Sequence, residues 1–237
     1  MLNDKDFWLF NKPIAHRGLW GQDIIENSLP AYQNAVDHNF PIEIDLYTSL
    51  DGHLVSFHDK NLFRMTGENS LVYEKTLKEI KKLKLLNSNY TIPTFNEVLD
   101  LVDGKVPLLI EIKNQPNKKI VELVVERLKN YNGQFAIQSF NPFYINKVKK
   151  LAPNFIRGIL GNHLAKEEKP FTRSVVKNLS FNFLCKPHFI SYNYLGFPLK
   201  KRVKKNLPVI AWTITDKDTY KSIKPKVNNI IFENFIP

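Results

Sequence analysis

The sequence has almost none of the cysteine that extracellular and redox proteins depend on. One of its 237 residues is a cysteine, Cys185, which excludes an intramolecular disulfide and a cysteine metal cluster. This usage suits a reducing cytoplasm. Because Phe183 and Leu184 beside it are apolar, we interpret Cys185 as a buried thiol rather than a nucleophile.

Segments for membrane insertion and secretion are also missing. No run approaches the roughly eighteen consecutive apolar residues of a transmembrane helix. Residues 1–8 contain acids where a signal peptide has a basic run followed by an apolar stretch. We therefore expect a cytoplasmic protein with no stable membrane insertion.

Acidic residues are outnumbered by basic ones, 23 against 34, which gives a net charge of +11. Such an excess attracts nucleic acid, an anionic membrane surface or a phosphorylated small molecule. Much of it lies in lysine-rich runs at 81–84, 147–150 and 200–205. No nucleic-acid-binding motif surrounds these runs, so we interpret them as a solvated face and expect no nucleic-acid partner.

Strand-like and helix-like segments alternate along the chain, which predicts an α/β fold with a parallel sheet. The predicted strands are 13–16, 42–48, 107–113, 134–140, 155–160, 189–192, 208–214 and 229–233. The predicted helices are 28–39, 117–129, 142–151, 171–179, 198–206 and 216–224, the first of them capped by Ser28. Eight strands in a chain of this length favour a compact (β/α)8 TIM barrel in one domain, residues 1–237. A doubly wound sheet is the alternative, but its glycine-rich phosphate turn is absent.

One segment, about 59–106, is too long for a simple connection. Helical pieces are predicted at 78–86 and 96–102. We interpret the segment as a small insertion after the second strand, lying over one end of the barrel.

Acids share one face of two predicted strands. In 42–48, alternation places Glu43 and Asp45 on one face, and in the next strand it places Glu111 and Lys113 together. Three acids from two strands could therefore converge. Oxygen ligands select a hard cation, Mg²⁺ or Ca²⁺. The simpler alternative is a set of acids neutralised by Lys113 and Arg17.

His16 ends the first predicted strand and His58 ends the strand-like run after Asp51-Gly52, and TIM barrels assemble their sites at the ends of strands. An Asp51-Gly52 turn of two residues would place Asp45 opposite His58. Hydrolysis of a phosphodiester needs neutralised phosphoryl oxygens, a group that accepts a proton from the nucleophile and one that protonates the leaving alkoxide. Arg17 and a cation could neutralise the phosphoryl oxygens, and the two histidines could carry out the two proton transfers.

At these residues the sequence resembles the glycerophosphodiester phosphodiesterase family, over nearly the whole chain. The resemblance is carried by His16-Arg17-Gly18, Glu26-Asn27-Ser28, Glu43-Ile44-Asp45-Leu46, residues 48–52, His58-Asp59, residues 62–67, residues 92–99, Glu111-Ile112-Lys113, Gln138-Ser139-Phe140 and Trp212-Thr213-Ile214. It implies a TIM barrel that cleaves glycerophosphodiesters to sn-glycerol 3-phosphate and an alcohol such as choline or ethanolamine.

The resemblance also implies roles for individual residues. His16 and His58 are the expected acid/base pair, and the three acids are the expected ligands of one divalent cation. The residues expected to bind substrate are Arg17, Lys113, Glu26 and Trp212. Thr215 and Glu233 depart from the family pattern, and we expect both changes to affect the substrate end more than the catalytic core.

Three other functions are compatible with the sequence. A lysophospholipase D activity would use the same site, with an apolar entrance formed by Phe143, Tyr144, Phe181, Phe183, Tyr194 and Phe197. A non-catalytic barrel that binds a phosphorylated ligand would not need the histidine pair. A nucleic-acid phosphodiesterase rests on net charge alone. The head group, the native cation and the oligomeric state are left open.

Overall fold

The computed structural model describes residues 7–21, 23–163, 174, 176–204 and 206–237. The chain forms two compact units, one of Arg17–Phe135 and one of Met1–His16 with Ala136–Pro237. In chain order the elements are α1 (Trp8–Asn11), β1 (Ile14–Ala15), α2 (Leu29–Asp37), β2 (Ile42–Thr48), β3 (Leu54–Ser56), α3 (Phe63–Thr66), α4 (Leu77–Ile80), α5 (Phe95–Val102), β4 (Leu108–Ile112), α6 (Ile120–Leu128), β5 (Phe135–Ser139), α7 (Pro142–Leu151), β6 (Arg157–Gly161), α8 (Asn182–Cys185), β7 (Phe189–Asn193), α9 (Lys201–Lys204), β8 (Val209–Ile214), α10 (Lys217–Ile223) and β9 (Asn229–Phe232).

In the unit Arg17–Phe135, β2 pairs in parallel with β4, and β3 adds to β2 in the antiparallel direction. All seven residues of β2 are buried, as expected of a strand covered on both faces. Helix α2 begins at the predicted cap, where the Ser28 hydroxyl accepts a hydrogen bond from the Ala31 N–H at 3.3 Å.

In the other unit, β6, β7, β8, β9 and β1 follow one another in parallel register, and β5 pairs with β6. The strand order and the alternation with helices are those of a (β/α)8 TIM barrel, so the predicted fold is confirmed. All eight predicted strands are present, and β3 is an additional one. A single domain over residues 1–237 stays a prediction.

The predicted insertion has a hydrophobic core of its own. It contains α3, α4 and α5, and a 3₁₀ turn at Val72–Glu74. Its buried residues pack with those of β2 and β3 in a cluster of Tyr47, Val55, Phe57, Leu62, Met65, Val72, Ile80, Leu85 and Ile92. The predicted helix at 96–102 is confirmed as α5, whereas the one at 78–86 is wrong beyond Ile80, where α4 ends.

The remaining helices differ in how well they match. Helices α6, α7 and α10 fall within their predicted ranges. Of the prediction at 198–206, α9 covers four residues. Of the prediction at 171–179, residues 171–173 and 175 lie outside the described residues, and 174 and 176–178 are helical. Within the described part of the chain, we find no helix with the length and apolar character needed to cross a membrane.

The hairpin between β2 and β3 has a three-residue loop. The Ser49 N–H donates to the His53 carbonyl at 2.8 Å, and Gly52 between them has φ +86°. A left-handed glycine at the end of such a loop is common in three-residue hairpins. Asp45 consequently lies opposite Phe57, whose N–H donates to the Asp45 carbonyl at 3.0 Å. The predicted two-residue turn, with Asp45 opposite His58, is therefore wrong.

Candidate active site

Three buried acids converge in the unit Arg17–Phe135. One carboxylate oxygen from each of Glu43, Asp45 and Glu111 lies within 4.8 Å of the other two. The parallel register explains this, because Asp45 on β2 is the partner of Glu111 on β4, and Glu43 shares the face of Asp45. The predicted convergence is confirmed.

The negative charges of the three acids repel one another. Burial, followed by the charges of Asp45 and Glu111, raises the pKa of Glu43 well above its usual range. Burial is also the largest influence that raises the pKa of Glu111. Carboxylates removed from water at this spacing resist ionisation unless positive charge lies among them.

Part of that positive charge comes from the chain itself. The Lys113 ammonium lies 3.2 Å from Asp45 Oδ1 and 3.0 Å from Glu111 Oε1. Burial alone would lower the pKa of Lys113, but the two carboxylates raise it. Arg17 Nε lies 3.7 Å from Asp45 Oδ2, which is an ion-pair distance too long for a hydrogen bond. Both residues predicted to neutralise the acids therefore contact them.

Two cations do not balance three carboxylates. The fully ionised cluster keeps one excess negative charge, and a divalent cation would reverse its sign and create an attraction for a phosphodiester anion. The donor set consists of buried carboxylate oxygens, which suits a hard cation. Glu43, Asp45 and Glu111 are thus the residues that could hold a metal.

The turn after β1 ties its backbone to the acids. Arg17 (φ +58°) and Gly18 (φ +86°) are both left-handed, and the Arg17 N–H donates to Glu43 Oε2 at 3.2 Å. A Cβ on Gly18 would lie 2.8 Å from the Ala31 backbone, so this close approach to α2 requires glycine.

Asn27, quoted above only as part of the motif Glu26-Asn27-Ser28, also contacts the acids. Its side-chain amide donates to Asp45 Oδ2 at 3.1 Å, and its N–H donates to the Arg17 carbonyl at 2.9 Å. Its φ of +50° is one that asparagine tolerates better than most residues. An asparagine directly before the helix cap Ser28 was the available signal.

Three charged side chains, Asp59, Arg64 and Glu26, connect His58 to Arg17. His58 Nδ1 lies 2.6 Å from Asp59 Oδ1, and Arg64 Nε donates to Asp59 Oδ2 at 2.5 Å. Arg64 Nη2 and Arg17 Nη1 both donate to Glu26 Oε1, at 2.6 and 2.8 Å. The predicted residue Glu26 therefore lies between two arginines. Asp59 and Arg64 also belong to this network, although from the sequence they were noted only as part of family motifs.

The two arginines and His58 hold the acids of this network ionised. Burial raises the pKa of Asp59, but hydrogen bonds with His58 and Arg64 outweigh it and leave the pKa well below its usual range. Glu26 behaves similarly, with burial opposed by the hydrogen bond from Arg64 and the charge of Arg17. The pKa of both carboxyl groups therefore lies below its usual range.

His58 also acts electrostatically on the three buried acids, despite the wrong register prediction. It is one of the influences that lower the pKa of Glu111, after the stronger effect of Lys113. His58 therefore belongs to the same electrostatic environment as the three acids.

The second candidate histidine lies in the other unit. His16 Nδ1 is 2.5 Å from Glu233 Oε2, and the His16 N–H donates to the Phe232 carbonyl at 2.9 Å. The departure at Glu233 was expected to affect the substrate end more than the catalytic core. The structure places its carboxylate on His16 instead.

Trp212 and Cys185 have contrasting surroundings. The Trp212 ring packs edge-on against Phe140 at 5.8 Å, and its buried indole N–H has no partner among the described residues. A substrate-binding role for Trp212 stays a prediction.

Cys185 is fully buried, and burial raises its pKa to about 11, which confirms the buried thiol.

A TIM barrel with a buried carboxylate cluster, flanked by an arginine and a lysine, defines a class of proteins suited to a divalent cation and an anionic ligand. Within that class, the chain belongs to the Glycerophosphoryl diester phosphodiesterase family, whose model matches residues 16–235. The predicted family resemblance is confirmed.

Individual relatives agree with this family. The chain is 30% identical to a glycerophosphodiester phosphodiesterase of Caldanaerobacter subterraneus over 93% of both chains. It is similar to the solved structure of an Oleispira antarctica phosphodiesterase in complex with the product sn-glycerol-3-phosphate, with 25% identity, a TM-score of 0.80 and coverage of 94% and 93%. A Parabacteroides distasonis glycerophosphodiester phosphodiesterase, 21% identical with a TM-score of 0.76 over 93% and 92%, shows the same fold.

Glu43→Gln should separate cation binding from stability. Glutamine keeps an oxygen that can accept the Arg17 N–H but removes one of three repelling charges, so in EDTA its Tm should equal or exceed that of wild type. Mg²⁺ or Ca²⁺ at 100 times its Kd should stabilise wild type by about 2.7 kcal/mol and this variant far less. Differential scanning calorimetry measures both, with exposed Glu126→Gln as the matched control. A wild-type Tm that ignores both cations would contradict the assignment.

Arg64→Gln should change how stability depends on pH. Because Arg64 lowers the pKa of Asp59 and Glu26, its stabilisation is present above the ordinary carboxyl pKa of about 4 and is lost as pH falls below that. The Tm difference between wild type and variant should therefore be full at neutral pH and shrink in acid. Arg127→Gln, which loses an exposed pair with Asp100 at 3.8 Å, is the control. A difference that stays constant down to acid pH would refute this role.

Proposed function

We propose that the chain hydrolyses glycerophosphodiesters, such as glycerophosphocholine and glycerophosphoethanolamine, to sn-glycerol 3-phosphate and an alcohol. The observation that carries the proposal is the buried trio Glu43, Asp45 and Glu111 beside Arg17 and Lys113. Family membership supports it, as does the product held by the Oleispira antarctica relative. These findings favour it over lysophospholipase D activity and over a non-catalytic barrel.

The trio is proposed to hold one divalent cation, Mg²⁺ or Ca²⁺. When bound, such a cation supplies Lewis-acid stabilisation of charge on the phosphoryl oxygens. Arg17 and Lys113 are already fixed by carboxylates, so they can present their remaining N–H donors to the phosphate without a large ordering cost. Glu26 keeps Arg17 in place, and Trp212 offers an indole N–H to the substrate.

His16 and His58 are proposed as the acid/base pair. Each has Nδ1 against a carboxylate, Glu233 for His16 and Asp59 for His58. A carboxylate at that distance requires a proton on Nδ1, so in a neutral ring Nε2 is the atom that exchanges protons. One histidine takes the proton of the attacking nucleophile and the other protonates the departing alkoxide.

The protein's setting is proposed from its sequence and family. Its substrates come from lipid and glycerol metabolism, and its location is the cytoplasm. We propose one domain over residues 1–237.

An assay of sn-glycerol 3-phosphate release tests the function directly. Glycerophosphocholine, glycerophosphoethanolamine and glycerophosphoglycerol are supplied with EDTA and then with Mg²⁺ or Ca²⁺. We expect release that EDTA abolishes and that His16→Ala lowers by about 10²–10⁴-fold, the usual contribution of one proton transfer. Lysophosphatidylcholine is the comparison substrate. Activity that survives both EDTA and His16→Ala would overturn the site.

Glu233→Gln tests the positioning of His16. Glutamine preserves the size of the side chain but not the charge that holds the ring and stabilises its protonated form. We expect kcat to fall at least about tenfold, part of what a proton transfer contributes, while KM stays near wild type. Asp218→Asn, at an exposed position on α10, is the control. A change confined to KM would contradict the positioning role and would indicate that Glu233 contributes to substrate binding.

A further inference from the structure

The net positive charge arises in one part of the chain. Residues 127–215 contain sixteen lysines and arginines but two acids, Glu167 and Glu168, whereas the rest of the chain has eighteen basic residues and 21 acids. The whole excess of +11 therefore originates in this segment, most of which belongs to the unit with Ala136–Pro237. A charge asymmetry of this size points to an anionic partner.

The same unit exposes a cluster of aromatic rings. The centroids of Phe143 and Phe181 are 5.5 Å apart, and those of Phe181 and Phe183 are 6.2 Å apart. Phe143 is 57% exposed and Phe183 is 68% exposed. Burying a phenylalanine contributes about 1.5–3 kcal/mol, so contiguous exposed rings are unfavourable unless something covers them.

Lysines share the surface of these rings. On α7, Phe143, Lys147 and Lys150 are spaced i, i+4 and i+7 and so lie on one face, opposite the buried Ile145 and Val148.

Helices α7 and α8 are held together, which makes the rings and lysines one surface. The Lys149 ammonium donates to the Leu184 carbonyl at 2.5 Å. Lys186, directly after α8, is exposed. We call Phe143, Lys147, Lys150, Phe181, Phe183 and Lys186 the basic aromatic face.

We propose that the basic aromatic face docks on the surface of an anionic phospholipid bilayer. Apolar rings insert at the boundary of head groups and acyl chains, and lysines add about 1 kcal/mol each near an anionic surface. A nucleic acid fits the charge less well, because single strands bind by stacking bases on open ring faces. Here the rings tilt 44° and 36° against their neighbours and are too close for a base to insert between them.

The position of the face gives docking a use. Phe143 lies in the first turn of α7, directly after the carboxyl end of β5, and active sites of TIM barrels lie at the carboxyl ends of the strands. Docking through Phe143 would keep the carboxyl end of β5 near a source of lipid-derived substrates. This use rests on the proposed function, whereas the docking itself does not.

Vesicle co-sedimentation tests the proposal. Full-length protein is mixed with vesicles of phosphatidylcholine alone or of phosphatidylcholine with phosphatidylglycerol, at low and high salt. We expect binding to the anionic vesicles that salt weakens. Phe143→Ser and Phe183→Ser should each lower the partition coefficient about tenfold, the loss expected for one ring that no longer inserts. Lys150→Glu should lower it as well.

Matched controls come from the other unit. Phe63→Ser removes a ring that is 62% exposed on α3, and Lys82→Glu reverses an exposed lysine, and both should bind vesicles like wild type. Turnover of soluble glycerophosphocholine by every variant separates a failure of docking from a failure of the proposed function. Equal losses in Phe63→Ser and Phe143→Ser would overturn the proposal. So would absent vesicle binding, or single-stranded RNA binding that the phenylalanine variants leave intact.

Discussion

Repulsion among three buried carboxylates is the constraint around which the candidate site is built. Glu43, Asp45 and Glu111 cannot all stay ionised out of water without positive charge between them, and the chain supplies it from two directions. Lys113 comes from the end of β4, and Arg17 comes from a left-handed turn. These two cations leave one carboxylate charge unbalanced, and a divalent cation held by the trio would neutralise it.

The same constraint explains why the turn after β1 is conformationally unusual. Two consecutive left-handed residues, Arg17 and Gly18, point the Arg17 N–H at Glu43, and Asn27 then fixes the turn from the other side. Backbone strain of this kind persists where the surroundings over-determine it, which is typical of functional sites. Basic and acidic side chains then alternate in a hydrogen-bonded chain that reaches His58, in the order Arg17, Glu26, Arg64 and Asp59.

Local pattern was sufficient to predict the acids but not their partners. Alternation along 42–48 puts Glu43 and Asp45 on one face, and a parallel neighbour then brings Glu111 alongside. The hairpin was harder, because Asp51-Gly52 fits both a two-residue turn and the last two residues of the observed loop, and hydrogen bonds of Ser49 with His53 decide between them. Arg64 and Glu233 could not be found by spacing, because Glu26 lies 38 residues from Arg64 and His16 lies 217 from Glu233.

That last separation has a consequence for folding. The carboxylate that contacts His58 belongs to Asp59, the next residue in the sequence, so this pair can form as soon as the local chain is ordered. The His16–Glu233 pair spans 217 residues and cannot form until almost the entire chain has been arranged, which is the late, non-local kind of contact that slows folding. One histidine is thus oriented by its local segment and the other by completion of the fold, so a partly folded chain would orient only one of the two histidines proposed as the acid/base pair.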